Sequence, residues 1–295
     1  MRNMTIPYLW LFCGLNAVKG MVIKMKLKDY ILYSDVDGTL LPYVTGSRIP
    51  QRNIEAIKRF TEKGGKFGIA TGRARKTTKE FIEILPVNAP CVVLNGGGLY
   101  DFKTDEYLMR LYLPDEAKAY VKQIMSDLPD ISALVIVGED YYHLNREIPF
   151  ESFTTEYRKS FKDAGAETME AKWCKALFSG KSGELAKLKK YLGAQDFKGV
   201  RFVETSDTLT ELLPENSDKG EAIKTLAALK GYKMEHIAAI GDYYNDFEML
   251  QYAGVSAVPI DTPDDIKAVC DFIAGKCEDG AVADFIEYLE SICDE

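Results

Sequence analysis

The feature that most constrains the fold is an alternation of short apolar runs with segments of helical period. YILYSD (30–35) predicts a buried strand, PQRNIEAIKRFTEKGG (50–65) an amphipathic helix that begins with Pro and ends with Gly, and KFGIAT (66–71) a second strand. RKTTKEFIEIL and PCVVLN repeat the helix and strand. This order predicts an α/β fold in which crossover helices connect the strands of a parallel sheet.

After Asn95 the pattern changes. A predicted hairpin, GGGLYDFKTDEYLMRLYLP, and two strands in ISALVIVGEDYYHLN give more strands than the helices there can cross over, which indicates a separate α+β unit. From Asn216 the parallel alternation returns. We therefore predict a core domain formed by residues 26–95 and 212–295, with an α+β domain inserted at 96–211.

Composition narrows the classes of function. The 37 basic and 45 acidic residues give a net charge of −8, and no basic stripe is present, so we expect no nucleic-acid partner. The two histidines exclude a His-rich metal site. The six cysteines form no C-x-x-C pair, which is typical of reduced thiols in the cytoplasm. Strong chemistry in this chain is therefore expected to use carboxylates, whereas the oligomeric state cannot be predicted.

The N-terminal segment contains the apolar run IPYLWLFCGLNAVKGMVI. Asn16 and Lys19 interrupt it, and no convincing signal cleavage site follows. The run is also too interrupted for a membrane span, so we expect no membrane partner. We interpret residues 1–25 as an N-terminal extension, either disordered or produced by an upstream start, with the natural start at Met21 or Met25.

Four short stretches each follow a predicted core strand or open the next helix. They are DVDGT (35–39), ATGR (70–73), SDKGEAI (217–223) and GDYYND (241–246). Ligands of open α/β sheets bind at the carboxyl ends of the strands, where these stretches are predicted to meet. The two aspartates of DVDGT would repel each other on a strand unless the backbone turns or a cation lies between them; the less favoured alternative is that they are surface acids at a strand end.

In this order the four stretches resemble the haloacid dehalogenase-like (HAD) phosphatase superfamily. The inserted unit is similar to its subtype-B class-two cap, and the likeness to Cof-like sugar-phosphate phosphatases covers residues 30–290. The resemblance implies a Rossmann-like core and Mg²⁺-dependent hydrolysis of small phosphorylated metabolites through an aspartyl-phosphate. The segment VSAVPIDTPDD (255–265) departs from the small-residue turn of the family, which makes substrate handling the least predictable property.

The resemblance also implies roles for the acids. Asp35 would be the nucleophile, and Asp37 the general acid for the leaving alcohol and later the base for water. Asp35, the backbone carbonyl of Asp37 and Asp242 would hold Mg²⁺, which prefers oxygen ligands. Asp246 would lie behind these ligands, or would only cap the following helix.

Phosphate binding is assigned by the same resemblance. The hydroxyl of Thr71 and the N–H of Gly72 would hold phosphate oxygens at a strand-to-helix turn, and Lys219 would balance the phosphoryl charge. Asn245 would lie near the phosphate, with helix capping as the alternative. Arg73 either assists in binding phosphate or is a solvated surface residue.

Two other functions remain open from sequence. A phosphomutase or phosphotransferase would share the first steps, and a catalytically silent member would bind a metabolite or partner without turnover. Loss of a motif acid would mark the silent class, yet Asp35, Asp37 and Asp242 are present. Cap residues that could contact substrate, although each fits a core or surface position better, are Tyr141, Tyr142, His143, Arg146, Trp173 and Lys181.

Overall fold

The computed structural model describes residues 25–44, 47–153 and 158–293, so the expected N-terminal extension lies outside the described residues except for Met25. The strands are β1 (Ile31–Ser34), β2 (Lys66–Ile69), β3 (Cys91–Val93), β4 (Gly98–Asp101), β5 (Glu106–Arg110), β6 (Ser132–Val137), β7 (Asp140–His143), β8 (Lys162–Asp163), β9 (Trp173–Ser179), β10 (Val200–Ser206), β11 (Leu209–Pro214), β12 (Ile237–Ile240), β13 (Val255–Pro259) and β14 (Phe272–Ala274). The helices are α1 (Gln51–Glu62), α2 (Arg75–Ile82), α3 (Ala117–Asp127), α4 (Ala166–Glu170), α5 (Ser182–Leu192), α6 (Lys219–Lys230), α7 (Phe247–Tyr252), α8 (Asp264–Lys267) and α9 (Ala281–Ile292).

A five-stranded parallel sheet, which we call the core sheet, has the order β14-β13-β12-β1-β2. Ser34, the last residue of β1, is in register with Ile240 of β12 and Ile69 of β2, so three carboxyl ends lie side by side. This confirms the predicted α/β class. The segment PCVVLN meets the core sheet through a parallel bridge between Ala70 and Val92, while β3 itself pairs with β4 in an antiparallel hairpin.

Both faces of the core sheet are covered by helices. Leu32 of β1 lies in an apolar cluster with residues of α1 and α9, whereas Ile31 and Tyr33 lie in a second cluster with residues of α6 and α7. The alternation follows from the two-residue period of a strand, and it explains why β1 is apolar throughout. Within the part of the chain that the structure describes, no helix combines the length and apolarity that crossing a membrane requires.

A six-stranded sheet, which we call the cap sheet, has the order β10-β11-β9-β6-β7-β8. Residues of α3 and α5 pack in the apolar cluster on one of its faces. The other face packs on the crossing segment that follows β3, where Val93 and Leu94 join Leu134 and Leu177 of the cap sheet in one cluster. The short sheet β3-β4-β5 lies between β2 of the core sheet and β6 of the cap sheet along the chain, and the predicted domain boundaries stay a prediction.

Candidate active site

Three buried carboxylates meet at the carboxyl edge of the core sheet. Asp35 directly follows β1, Asp242 lies two residues after β12, and Asp246 lies in the turn before α7. One carboxylate oxygen from each lies within 4.8 Å of the others, and we call these residues the acidic triad. Asp35 is at least 207 positions from Asp242 and Asp246 in the sequence (242 − 35 = 207). The three meet because the ends of β1 and β12 lie side by side.

Lys219 enters this cluster from the start of α6. The fully buried Lys219 ammonium donates to Asp35 Oδ1 at 2.7 Å and to Asp246 Oδ1 at 2.5 Å. The side chain of Asp218 caps α6 by accepting from the Glu221 amide, which fixes the position from which Lys219 projects. Although burial opposes ionisation, the two carboxylates raise the pKa of Lys219. Lys219 is therefore not a solvated helix-start lysine, and its contact with phosphate stays a prediction.

The charges of this cluster do not balance. One ammonium faces three carboxylates, which gives a net charge of −2 (1 − 3) when all are ionised. Burial raises the pKa of Asp35 well above its usual range despite the opposing effect of Lys219, and burial also raises the pKa of Asp242 to about 7. Carboxylates held together away from water need either protons or a cation.

Neighbouring polar groups orient the triad. Thr39 and Tyr43 donate their hydroxyls to the two oxygens of Asp242, at 2.7 and 3.0 Å. Asp246 Oδ2 accepts from the backbone amides of Asp242 at 3.0 Å and Tyr243 at 3.4 Å. The second bond belongs to the short 3-10 turn Tyr244–Asp246, whereas the side chain makes no capping bond to α7. Capping alone is therefore the wrong interpretation of Asp246, because this carboxylate braces the loop that carries Asp242. Tyr43 was not singled out from sequence.

The two acids of DVDGT face different cations. Asp35 contacts Lys219, whereas Asp37 is bound by Arg73, whose Nε and one Nη lie 2.9 and 2.6 Å from the two oxygens of Asp37. The backbone turns at Gly38, which has φ +89°, a conformation that residues with a side chain rarely adopt. Asp37 remains 42% exposed, so its carboxylate is accessible to a reacting group. Arg73 is 26% exposed and is held between Asp37 and Glu80.

The predicted phosphate-binding turn follows β2. Thr71 is fully buried, its hydroxyl accepts from the Arg73 amide at 3.1 Å, and its own amide donates to the Val92 carbonyl at 2.9 Å. Gly72 lies against the side chain of Asn95, which would be only 3.0 Å from a Cβ at this position. The turn is therefore fixed by bonds on its β3 side, and little space remains for a side chain at Gly72.

Asn95 is a residue of the candidate site that sequence reasoning missed. Its amide donates to the Thr71 carbonyl at 3.0 Å, its Oδ1 accepts from Asn245 Nδ2 at 3.2 Å, and its Nδ2 donates to Glu211 Oε2 at 2.8 Å. The backbone is left-handed here, with φ +52°, which Asn tolerates better than most residues. An Asn at the end of a predicted strand, directly before three glycines, was the available signal.

Among the residues that the structure describes, the suggested cap residues make their contacts within the cap and not with the acidic triad. Trp173 donates to the Thr168 carbonyl at 2.7 Å in the interior of the cap, and His143 contacts Ser132 at 2.7 Å. The remaining positions are Tyr141 in the apolar cluster, Tyr142 beside Lys162, Arg146 bonded to Phe161 and Asp163, and Lys181 at the start of α5.

The chain resembles known proteins in both sequence and fold. A sequence model of the haloacid dehalogenase-like hydrolases matches residues 32–286. The chain is 23% identical over 267 residues to pyridoxal phosphate phosphatase YbhA of Escherichia coli, covering 87% of this chain and 97% of the relative. It is 28% identical over 284 residues to 5-amino-6-(5-phospho-D-ribitylamino)uracil phosphatase YwtE of Bacillus subtilis, covering 87% and 96%. The fold matches a sugar phosphatase of HAD subclass IIB with a TM-score of 0.74 and 17% identity, over 89% of this chain and 99% of that one.

Proposed function

The chain belongs to the family of haloacid dehalogenase-like hydrolases, and we propose that it is a Mg²⁺-dependent phosphatase of small phosphorylated metabolites that forms an aspartyl-phosphate. The class of reaction, hydrolysis of a phosphoric monoester, rests on this family and on curated relatives that are named phosphatases. The observation that carries the proposal is the acidic triad around Lys219, beside the turn that carries Thr71 and Gly72.

The donor set of the triad fits a hard divalent cation. Its net charge of −2 (1 − 3) and its buried carboxylate oxygens match the preference of Mg²⁺ for oxygen ligands. Asp35, Asp242 and the backbone carbonyl of Asp37 would hold the ion, while Asp246 keeps both oxygens on Lys219 and the loop amides. When bound, Mg²⁺ would neutralise the charge that otherwise separates a carboxylate nucleophile from a phosphate dianion.

Different residues of this chain would then bind the phosphate, attack it and transfer the proton. Lys219, the Thr71 hydroxyl, the Gly72 amide and Asn245 would bind the phosphoryl oxygens and hold the phosphorus in line with Asp35. An Asp35 oxygen attacks phosphorus, and the bond to the substrate oxygen breaks.

Asp37 gives a proton to that leaving oxygen, and afterwards takes a proton from the water that attacks the aspartyl-phosphate. Release of inorganic phosphate restores the Asp35 carboxylate. The carboxylate of Asp37 is partly exposed and does not share the Lys219 ammonium with Asp35, which supports different roles for the two acids.

Substrate class is the least constrained part of the proposal. The relatives are named for pyridoxal phosphate and for a phosphorylated ribityl compound, and the subclass IIB fold neighbour is a sugar phosphatase. All three names describe small phosphorylated molecules, so we place sugar phosphates first and include the other two compounds in the test. The described cysteines are free thiols, which supports a cytoplasmic location as a further part of the proposal.

The test is phosphate release from an aryl phosphate and from a panel of sugar phosphates, pyridoxal phosphate and phosphoribitylamino compounds, with Mg²⁺ or EDTA. We expect Mg²⁺-dependent release that Asp35→Asn abolishes while the circular dichroism spectrum and melting temperature are retained. Release that persists in Asp35→Asn would contradict the nucleophile assignment. Transfer of the phosphoryl group to an added sugar instead of water would indicate a phosphotransferase.

A further inference from the structure

A second buried ion pair lies in the cap sheet, at its contact with the core. Lys175 of β9 is 1% exposed, Glu211 of β11 is 4% exposed, and the Lys175 ammonium lies 2.7 Å from each carboxylate oxygen. Glu211 is in register with Leu177, two residues from Lys175, so both side chains project from the same face of the cap sheet. Leu177 belongs to the apolar cluster that includes core residues, so this face is the one that meets the core.

Each member of the pair also contacts the core. Lys175 Nζ donates to the backbone carbonyl of Gly72 at 2.8 Å, and Glu211 Oε2 accepts from the Asn95 side chain at 2.8 Å. Asn95 in turn accepts from Asn245. Through these contacts, the pair is joined to the phosphate-binding turn and to two of the polar residues that surround it.

The bonding capacity of Lys175 is used by these contacts. An ammonium has three donor hydrogens, and Lys175 has three acceptors within 2.8 Å, namely two oxygens of Glu211 and the carbonyl of Gly72. No donor of Lys175 remains for a substrate, so its geometry indicates a group that orients other residues.

We propose that Lys175 and Glu211 are positioning residues that complete the phosphate pocket from the cap sheet. The inference rests on the proposed phosphatase function. Lys175 fixes the carbonyl side of the Gly72 peptide, and Glu211 fixes the rotamer of Asn95, which then orients Asn245. The pocket therefore has its working geometry only when the cap sheet is docked, which couples docking of the cap to phosphate binding.

Stability alone gives little reason for this pair. Removing two charges from water costs free energy, and replacement of a buried ion pair by apolar residues of similar volume is often neutral or stabilising. An apolar pair would hold β9 and β11 together equally well. It would not reach the Gly72 carbonyl or the Asn95 amide, which is what the charged pair does.

A matched control exists among the other contacts between cap and core. Lys76 of α2 pairs with Asp140 of β7 at 3.2 Å, at a site where the Lys76 side chain is 66% exposed. Its ammonium contacts neither Gly72 nor Asn95. Lys76→Met therefore removes an ion pair between cap and core with the same chemical change as Lys175→Met, without touching the phosphate-binding turn.

The experiment compares wild type, Lys175→Met, the double variant Lys175→Met/Glu211→Met and Lys76→Met. The single variant leaves Glu211 buried without its partner and is expected to be destabilised, so the double variant carries the test. We expect the double variant to melt closer to wild type than Lys175→Met does, but to lose about tenfold or more in kcat, because small misplacements of a reacting group are costly. Inhibition by inorganic phosphate should weaken in parallel, and Lys76→Met should behave as wild type.

The factor lost should be the same for every substrate in the panel, since the phosphate end is common to all of them. A loss that varies with the leaving group would mean that the pair contacts substrate, and full activity in the double variant would mean that it only holds the sheet together. Either result overturns the inference.

Hydrogen exchange separates this inference from the proposed function. The Arg73, Leu94 and Asn95 amides are bonded within the turn, and their exchange should accelerate in the double variant but not in Lys76→Met. This measurement needs no substrate. If wild type releases no phosphate while the double variant shows faster exchange, the phosphatase proposal fails and the positioning contacts stand; unchanged exchange would refute the inference whatever the activity.

Discussion

Lys219 and Lys175 are both buried ammonium groups, but their surroundings differ in charge. Lys219 lies among three carboxylates at the edge of the core sheet, with a net charge of −2 (1 − 3). Lys175 faces one carboxylate and a backbone carbonyl, so its cluster is neutral (1 − 1). The first cluster still requires a cation or protons, whereas the second is complete as it stands. Burial of a lysine alone therefore does not distinguish the candidate active site. The uncompensated negative charge of the surrounding carboxylates does.

The largest expected effect comes from removing each lysine in turn. Lys219→Met should abolish turnover and destabilise the cation-free protein by about 3–5 kcal/mol, the usual cost of leaving buried charge without its partner. Added Mg²⁺ should recover part of that loss, because it can replace the missing positive charge. Lys175→Met should lose a similar amount of stability that Mg²⁺ does not recover. Urea unfolding with EDTA or Mg²⁺ measures both, and an equal Mg²⁺ response in the two variants would break the comparison.

Asp37 belongs to neither buried cluster. Its substitution tests whether this partly exposed carboxylate transfers a proton in the reaction. Asp37→Asn should slow hydrolysis of an alkyl phosphate by about 10²–10⁴-fold, the usual contribution of a general acid or base. The first step with an aryl phosphate should suffer less, because its leaving group needs no proton. Pre-steady-state and steady-state rates on both substrates measure the difference.

Glu80→Gln is the matched control for Asp37→Asn. Glu80 contacts the same guanidinium, Arg73, at 2.8 Å but is 61% exposed on the opposite side of it. Its loss should leave both rates close to wild type. A comparable slowing in the two variants would place the effect in Arg73 instead of Asp37.

A smaller effect is expected from the hydroxyl that supports the charged cluster. Thr39 donates to Asp242 at 2.7 Å, and Thr39→Val should weaken Mg²⁺ binding by about 10–100-fold, as is common for partners of metal ligands. Isothermal titration calorimetry in the absence of substrate measures the affinity. Hydrogen exchange near Lys175 should be unchanged, and an unaltered Mg²⁺ affinity would remove Asp242 from the proposed ligand set.

The smallest expected effect is the pH dependence of stability, which should arise from the cluster around Lys219. Burial raises the pKa of Asp242 from 3.8 to about 7, so the native protein binds this proton more tightly than the unfolded chain does. Without a cation, stability should therefore fall as the pH rises from about 4 to about 7. Mg²⁺ competes with the proton, so its stabilising effect should be larger at about pH 8 than at about pH 5.5.

Melting temperatures with EDTA or Mg²⁺ at the two pH values test this difference. Asp242→Asn, which removes the titrating group, should show a smaller pH dependence in EDTA and a smaller Mg²⁺ response. A Mg²⁺ response that is independent of pH in wild type would contradict the assignment of the buried carboxylates to the cation.

The two lysines also show what could be predicted. Lys219 stands in SDKGEAI, at the start of a predicted helix and in order with three other polar stretches, so local pattern was enough to single it out. Lys175 stands within WCKALFS, where it interrupts an apolar strand and carries no local signal. Its partner is 36 residues away on another strand, and register between strands is set by tertiary packing.

The core was predictable because strand and helix periods, with the Pro and Gly that bound them, are local properties of the chain. They determined the parallel α/β class and placed Asp35, Thr71 and Asp242 at the carboxyl ends of their strands. Tertiary structure decided which groups meet: that Asp37 turns to Arg73, that Asp246 braces the loop, and that Asn95 connects the core to Glu211. These contacts depend on side-chain directions and on the docking of the cap sheet, which no single stretch of sequence encodes.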